Sequence, residues 1–174
     1  LSNDSNSYLK QNYDLLAGSF PKKMNDILLV VDNKNQISKD ILQAFGFNEK
    51  AKSIDFDQII GTEFRVVLNN DYYKRIGNLF TINGNPNNLI DLWNSDNAIK
   101  LNVSGIIRQK EDLDISVLQP GFVYSEDLAK YLLKDASNSD IVKTQKTANY
   151  NVLTGAAFDM KNPDDVTSKE LLLA

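Results

Sequence analysis

Five consecutive apolar residues, Ile27-Leu28-Leu29-Val30-Val31, sit inside the stretch AGSFPKKMNDILLVVD. A run this short, partly β-branched and bounded by turn chemistry, reads as a buried strand. Upstream, Tyr8, Leu9, Tyr13, Leu15 and Leu16 form a rough helical stripe ending at Ala17. Gly18 stands where a C′ glycine would stop that helix, and Pro21 blocks its continuation. The expectation over residues 8–31 is therefore helix, stop and buried strand, preceded by a polar, linker-like stretch at 1–7.

The following elements are read by the same signals. DNKNQ (32–36) is turn chemistry, and Ser38 caps a helix over 39–45 that ends at Gly46, with Ile41, Leu42 and Phe45 inward. SIDFDQIIG (53–61) reads as a short helix or turn ending at Gly61, and EFRVVL (63–68) as a strand closed by an NND turn. Residues 72–82 fit strand or helix, with Gly77 weakening both, and NGNP (83–86) is a loop before one or two helical turns at 88–94. IKLNVSGIIRQ (99–109) alternates and then shifts, so it predicts a strand with a bend at Gly105.

After a charged loop and a QPG turn, FVYS predicts a short strand. Ser125 then caps a helix with an acidic first turn and with Leu128, Tyr131, Leu132 and Ala136 on one face. SNSD breaks that helix before IVKTQK, a second turn or strand; YNVLTG (150–155) predicts a final strand, and the tail at 162–174 a helix. The sum is one α+β domain over 8–174, with a twisted, mixed or mostly antiparallel sheet flanked by helices.

Composition narrows the chemistry. With no histidine and no cysteine in 174 residues, a Ser-His-Asp triad, a cysteine nucleophile and the usual zinc sites are excluded. A net charge of −4 provides no electrostatic footprint for nucleic acid. No run approaches the roughly 20 apolar residues of a membrane span. A phosphate loop needs strand, glycine-rich turn and then helix; here the order is reversed and the second glycine is missing, so Lys22 and Lys23 read as solvated. A calcium loop counted from Asp32 fails, because Lys34 and Ile37 occupy positions that need an oxygen ligand and a glycine. Asp55/Asp57, Asp112/Asp114 and Asp164/Asp165 are acidic pairs of the kind that cap or solvate loops more often than they catalyse. Tyr72, Tyr73 and Trp93 are the aromatic residues to weigh as a contact site against ordinary core.

The order of these motifs resembles the extracytoplasmic domains of ABC transporter permeases of the MacB/FtsX superfamily, Gram-positive type. YDLLAGSFPKKMNDILLVVD resembles that family's G-x-x-P entry into an apolar strand, carried by Gly18 and Pro21. ISKDILQAFGF and IIGTEFRVVL resemble its helix running to a glycine (Gly46) and its glycine-led strand (Gly61). IKLNVSGIIRQ, with Gly105, is similar to its V-x-G-I strand, and GFVYSEDLAKYLL, with Tyr124, to its strand–Ser–helix sequel. SNSDIVKTQK and NVLTG are further echoes, and the resemblance spans residues 8–158.

The resemblance implies a fold like the distal lobe of MacB-type periplasmic domains, on the outer face of the cell membrane. It implies no catalytic, cofactor or metal residue in this lobe. Its partners would be the membrane-embedded remainder of the permease and its ATPase, a peptide, antibiotic or lipid substrate, and a second copy in the full transporter. The apolar end at Leu171–Leu173 then fits a chain cut before its return to the membrane. Two other classes stay open: a free-standing surface or lipoprotein module binding peptide or glycan, and a hydrolase working through carboxylates alone.

Overall fold

The computed structural model describes residues 5–48, 50–51, 53–83, 86–111, 113 and 117–158. The chain is α+β, with a mixed five-stranded sheet, a separate two-stranded sheet and helices. The apolar run forms β2 (Asp26–Val31), whose last five residues are all buried. It lies between the longest strand and the shortest: β6 (Ile99–Gln109) runs parallel to it on one side and β7 (Gly121–Val123) antiparallel on the other. With neighbours on both edges and cover on both faces, every apolar side chain of the run is withdrawn from water.

The remaining edge of β6 is shared by two strands. β1 (Tyr13–Gly18) pairs with its residues 105–109 and β3 (Glu63–Val66) with 99–102, both antiparallel. Between them the register slips. Ser104 is the extra residue in β6 opposite Ile27/Leu28, and Leu16 the extra residue in β1 opposite Ile106/Ile107. A bulge moves the side-chain alternation by one. Val103 and Ile106 therefore reach the same core as Ile27, Leu29, Val31 and Ile59, while Ile107 joins Leu9, Tyr13, Leu28 and Val30 on the opposite face.

The helix expected over residues 8–17 is shorter than its stripe. α1 (Ser5–Asn12) starts within the stretch expected to be linker and stops before Tyr13. Tyr13, Leu15 and Leu16 belong instead to β1, so Gly18 ends a strand and not a helix. Pairing along β6 supplies backbone hydrogen bonds and two-sided cover that a short isolated helix lacks, and it overrides local periodicity. Pro21 is buried just beyond, and the turn after it closes on Asp26, whose Oδ2 accepts from the backbone N–H groups of Lys22 and Lys23, each at 2.9 Å.

α2 (Lys39–Ala44) starts as its cap predicts, with the Ser38 hydroxyl accepting from Ile41 N–H. It ends in a Schellman turn: Gly46 N–H donates to Gln43 O (2.8 Å) and Phe47 N–H to Leu42 O (3.1 Å), with Gly46 at φ 78°. A 3-10 turn at Phe56–Gln58 leads to Gly61. The NND segment is a four-residue helical turn, α3 (Asn69–Tyr72). The ambiguous 72–82 stretch is a hairpin of β4 (Tyr73–Ile76) and β5 (Leu79–Ile82), with Gly77 at φ 60° in its two-residue turn. α4 (Pro86–Trp93) follows with proline at its first position.

α5 (Glu126–Asn138) is capped by Ser125, whose hydroxyl accepts from Leu128 N–H (3.1 Å) and donates to Met24 O (2.9 Å), joining the helix to the turn before β2. Tyr131 departs from the inward face assigned to it and is 45% exposed. IVKTQK is helical, within α6 (Asp140–Thr147). YNVLTG is not a strand; it is a turn with an isolated bridge at Tyr150–Ala157, with Phe80 N–H donating to Val152 O and Gln145 of α6 holding Tyr150 O and Val152 N–H. Phe80 of the hairpin, Ile141 and Val152 form a third small core there. The expected helix at 162–174 lies outside the described residues.

The bulged joint supplies a stability test. A Cβ on Gly18 (φ 75°) would lie 2.2 Å from Ser104 O, and one on Gly105 2.5 Å from Ser19 O, whereas Gly46 has nothing within 4 Å. Gly105→Ala is expected to cost at least about 2 kcal/mol in urea unfolding, through backbone displacement. Gly46→Ala should cost only its left-handed backbone penalty, about 1–2 kcal/mol. Equal losses at the two positions would mean that the joint is not tightly packed.

Candidate functional site

Of the three aromatic residues weighed as a contact site, Trp93 is the most exposed. α4 buries Leu92 and leaves Ile90 (66%) and Trp93 (46%) in solvent. The Trp93 ring is nonetheless held. Arg65 of β3 donates from Nη1 to the Trp93 carbonyl at 2.6 Å, and its guanidinium carbon lies 5.3 Å from the ring centroid. Glu63 fixes that guanidinium in turn, its Oε1 lying 3.0 Å from both Nε and Nη2. A clamped, half-exposed tryptophan beside an aliphatic neighbour loses little rotamer freedom when something covers it, which suits it to contact. Arg65 is marked by no motif, and the pairing spans 28 residues of sequence.

The paired tyrosines are placed differently. Their rings meet edge to face at 5.0 Å, Tyr72 is half-buried, and Tyr73 packs against the third core. Beside them Asp71 accepts from Ser95 Oγ (2.9 Å) and Asn97 Nδ2 (3.4 Å). Two shallow clefts of 490 and 460 Å³ flank Asp71, one reaching Asp91 and the other Asp96, Asp135 and Tyr131; neither is lined by a lysine or an arginine.

The motif residues divide between a joint and separate places. Gly18, Gly61 and Gly105 meet around Val103–Gly105 of β6, where Ser19 N–H donates to Ser104 O (2.7 Å) and Gly61 N–H to Val103 O (2.9 Å). Gly46 ends α2 away from that joint, and Tyr124 is exposed just before the Ser125 cap. Lys22 and Lys23 are exposed, and their backbone donors are already taken by Asp26, so this turn offers no anion cradle.

Of the three acidic pairs singled out from the sequence, one lies within the described residues. Asp55 and Asp57 are both exposed at the 3-10 turn, where Gln58 Oε1 accepts from Asp55 N–H. Asp112, Asp114, Asp164 and Asp165 lie outside the described residues. Glu126 is held below its ordinary pKa by hydrogen bonding to Lys130 at 2.7 Å and by the ammonium charge, which is a surface pair one helical turn apart. Among the described residues no three carboxylates gather as a metal site requires.

Two cavities open at the C-terminal end of β2. The larger, 570 Å³, is lined by Asp32, Arg108, Lys110, Glu111 and Gln119 among others. Arg108 crosses between the two: Nη1 donates to Asn35 Oδ1 (3.0 Å), Nη2 lies 3.8 Å from Asp14, and buried Nε has no partner. The smaller cavity, 260 Å³, is mainly apolar, with Leu29, Val31, Leu42, Ile54, Phe56 and Ile59 in its walls. Its lining joins β2, α2 and the 51–59 segment, an assembly that sequence spacing does not reveal.

Trp93 is the chain's one tryptophan, so its fluorescence reports this surface alone. Acrylamide is expected to quench it in the native state, and Arg65→Ala to raise the quenching constant by freeing the ring. A native emission shielded from quencher, or unchanged by Arg65→Ala, would contradict the clamp. No protein-family model, curated protein or solved structure matches this chain.

Proposed function

We propose that this chain is a noncatalytic extracytoplasmic domain of an ABC transporter permease of the MacB/FtsX type. The observation that carries the reading is the ordered motif set from Gly18 to Tyr124. It is supported by where three of those glycines lie: Gly18, Gly61 and Gly105, far apart in sequence, share one joint on β6. These three motif positions thus belong to one part of the fold.

In this role the lobe performs no chemistry. Nucleotide binding and hydrolysis take place in a cytoplasmic ATPase, and the membrane helices carry that closure outward as a rigid-body movement. A lobe built on a sheet buried on both faces can transmit such movement without deforming. Its exposed surfaces, with clamped Trp93 among them, then meet a peptide, antibiotic or lipid substrate, a partner protein or a second copy. No helix among the described residues is long and apolar enough to cross a membrane. On this reading the membrane segments flank these residues in the full-length protein.

A second reading, a free-standing surface module for peptide or glycan, is favoured by the apolar 260 Å³ cavity with uncharged groups at its mouth. The full-length gene product separates the two, because the permease requires membrane helices flanking residues 1–174. The location is tested by Lys22→Cys, which places a single thiol in an exposed turn of a segment that has no cysteine. A membrane-impermeant maleimide should label it on intact cells. Labelling only after lysis, or a full-length product without flanking membrane helices, overturns the permease.

A further inference from the structure

The core on the α2 side of the sheet is open to solvent between α2 and the 51–59 segment. Buried Leu29, Val31 and Ile59 and half-buried Leu42, Ile54 and Phe56 enclose the 260 Å³ cavity there. Its polar lining among the described residues is Asn35, Gln36 and Ser53, all exposed, with no charged side chain among them. Asn35 Oδ1 is occupied by Arg108. The Gln36 carboxamide and the Ser53 hydroxyl have no hydrogen-bond partner among the described residues.

We infer that this cavity receives one large apolar side chain of a peptide, with the peptide's own backbone amide held at the mouth by Gln36 and Ser53. The inference names the contact chemistry of the lobe and rests on its reading as a noncatalytic contact module. Polarity supports it first. An amide, which both donates and accepts, matches a carboxamide and a hydroxyl that do the same, and the described lining residues carry no charge to favour a charged headgroup.

Size supports it second. An apolar cavity of about 150 Å³ takes a benzene ring, so 260 Å³ is enough for a leucine or phenylalanine side chain with part of its amide. A membrane lipid chain is longer than the cavity holds and would leave much of its apolar length in water. Position supports it third. The cavity floor is β2 itself, so an inserted side chain presses on the buried centre of the sheet and not on a loose surface loop.

The test is an NMR titration of the 174-residue chain with N-acetyl-leucinamide and N-acetyl-phenylalaninamide, against N-acetyl-glycinamide and a short-chain phosphatidylcholine below its micelle concentration. Saturable shifts at Gln36, Leu42, Ser53 and Ile54 are expected with the first two only. Gln36→Ala and Ser53→Ala, both at exposed positions, should each weaken that binding about fivefold while leaving Tm unchanged. Shifts that do not saturate, equal binding of the glycine derivative, preferential binding of the phospholipid, or indifference to both substitutions would each overturn the inference. Any of these outcomes leaves the labelling test of location untouched, so the two failures are distinguishable.

Discussion

Everything in the larger sheet is arranged around the contact of Gly18 with Gly105. The two are paired across β1 and β6, and each leaves its missing Cβ where a neighbouring backbone oxygen sits. That closeness lets β1 leave the sheet at Ser19 while the 61–62 segment takes over the same edge at Val103. The Ser104 bulge beside it shifts the alternation of β6 by one residue. Ile106 and Ile107 thereby enter opposite cores, and both faces of the sheet are filled from one strand. With side chains at those two glycines, backbone oxygens would have to move, and with them the pairing that makes β6 central.

A second set of contacts ties the smaller sheet and the C-terminal helices together. Its apolar core is small, three buried residues with a few half-buried neighbours, so polar junctions matter more there. Ser139, almost wholly buried between α5 and α6, donates to Ala136 O and accepts from Asn69 Nδ2, while Asn70 Oδ1 accepts from Asp140 N–H. Gln145 binds the 150–152 turn at two points. At the other end of α5, Ser125 bonds to Met24 O, so one helix links this region to the turn that starts β2.

The surface features follow a different logic from the core. Trp93 was legible as an aromatic residue of uncertain allegiance, but its clamp was not, because Arg65 and Glu63 reach it only after β3 pairs with the start of β6. Tyr73 looked equivalent to it in sequence and instead packs into the third core, since the hairpin turns its face toward α6. Gln36 and Ser53 belong to turn-forming stretches in which exposed polar residues are ordinary. Only the folding of the 51–59 segment over β2 sets them at the mouth of one apolar cavity.

Local chemistry was enough for every feature that depends on a few adjacent residues. The buried strand at 27–31, the Ser38 and Ser125 caps, the helix stop at Gly46, the bend near Gly105 and the α+β class itself all follow from apolar runs, hydroxyl caps and glycine backbone freedom. The tertiary structure decided what short-range signals leave degenerate. Tyr13–Gly18 carries a helical stripe yet becomes a strand, because β6 offers it a ladder and a core. Tyr131 lies on an apolar stripe yet is exposed, at a polar cleft that also carries Asp71, Asp96 and Asp135. YNVLTG has strand propensity, yet it meets β5 at one backbone hydrogen bond, from Phe80 N–H to Val152 O, and Gln145 folds it into a turn. Sequence determines where backbone can start, stop and bend; which ladder or face a marginal segment joins depends on partners tens of residues away.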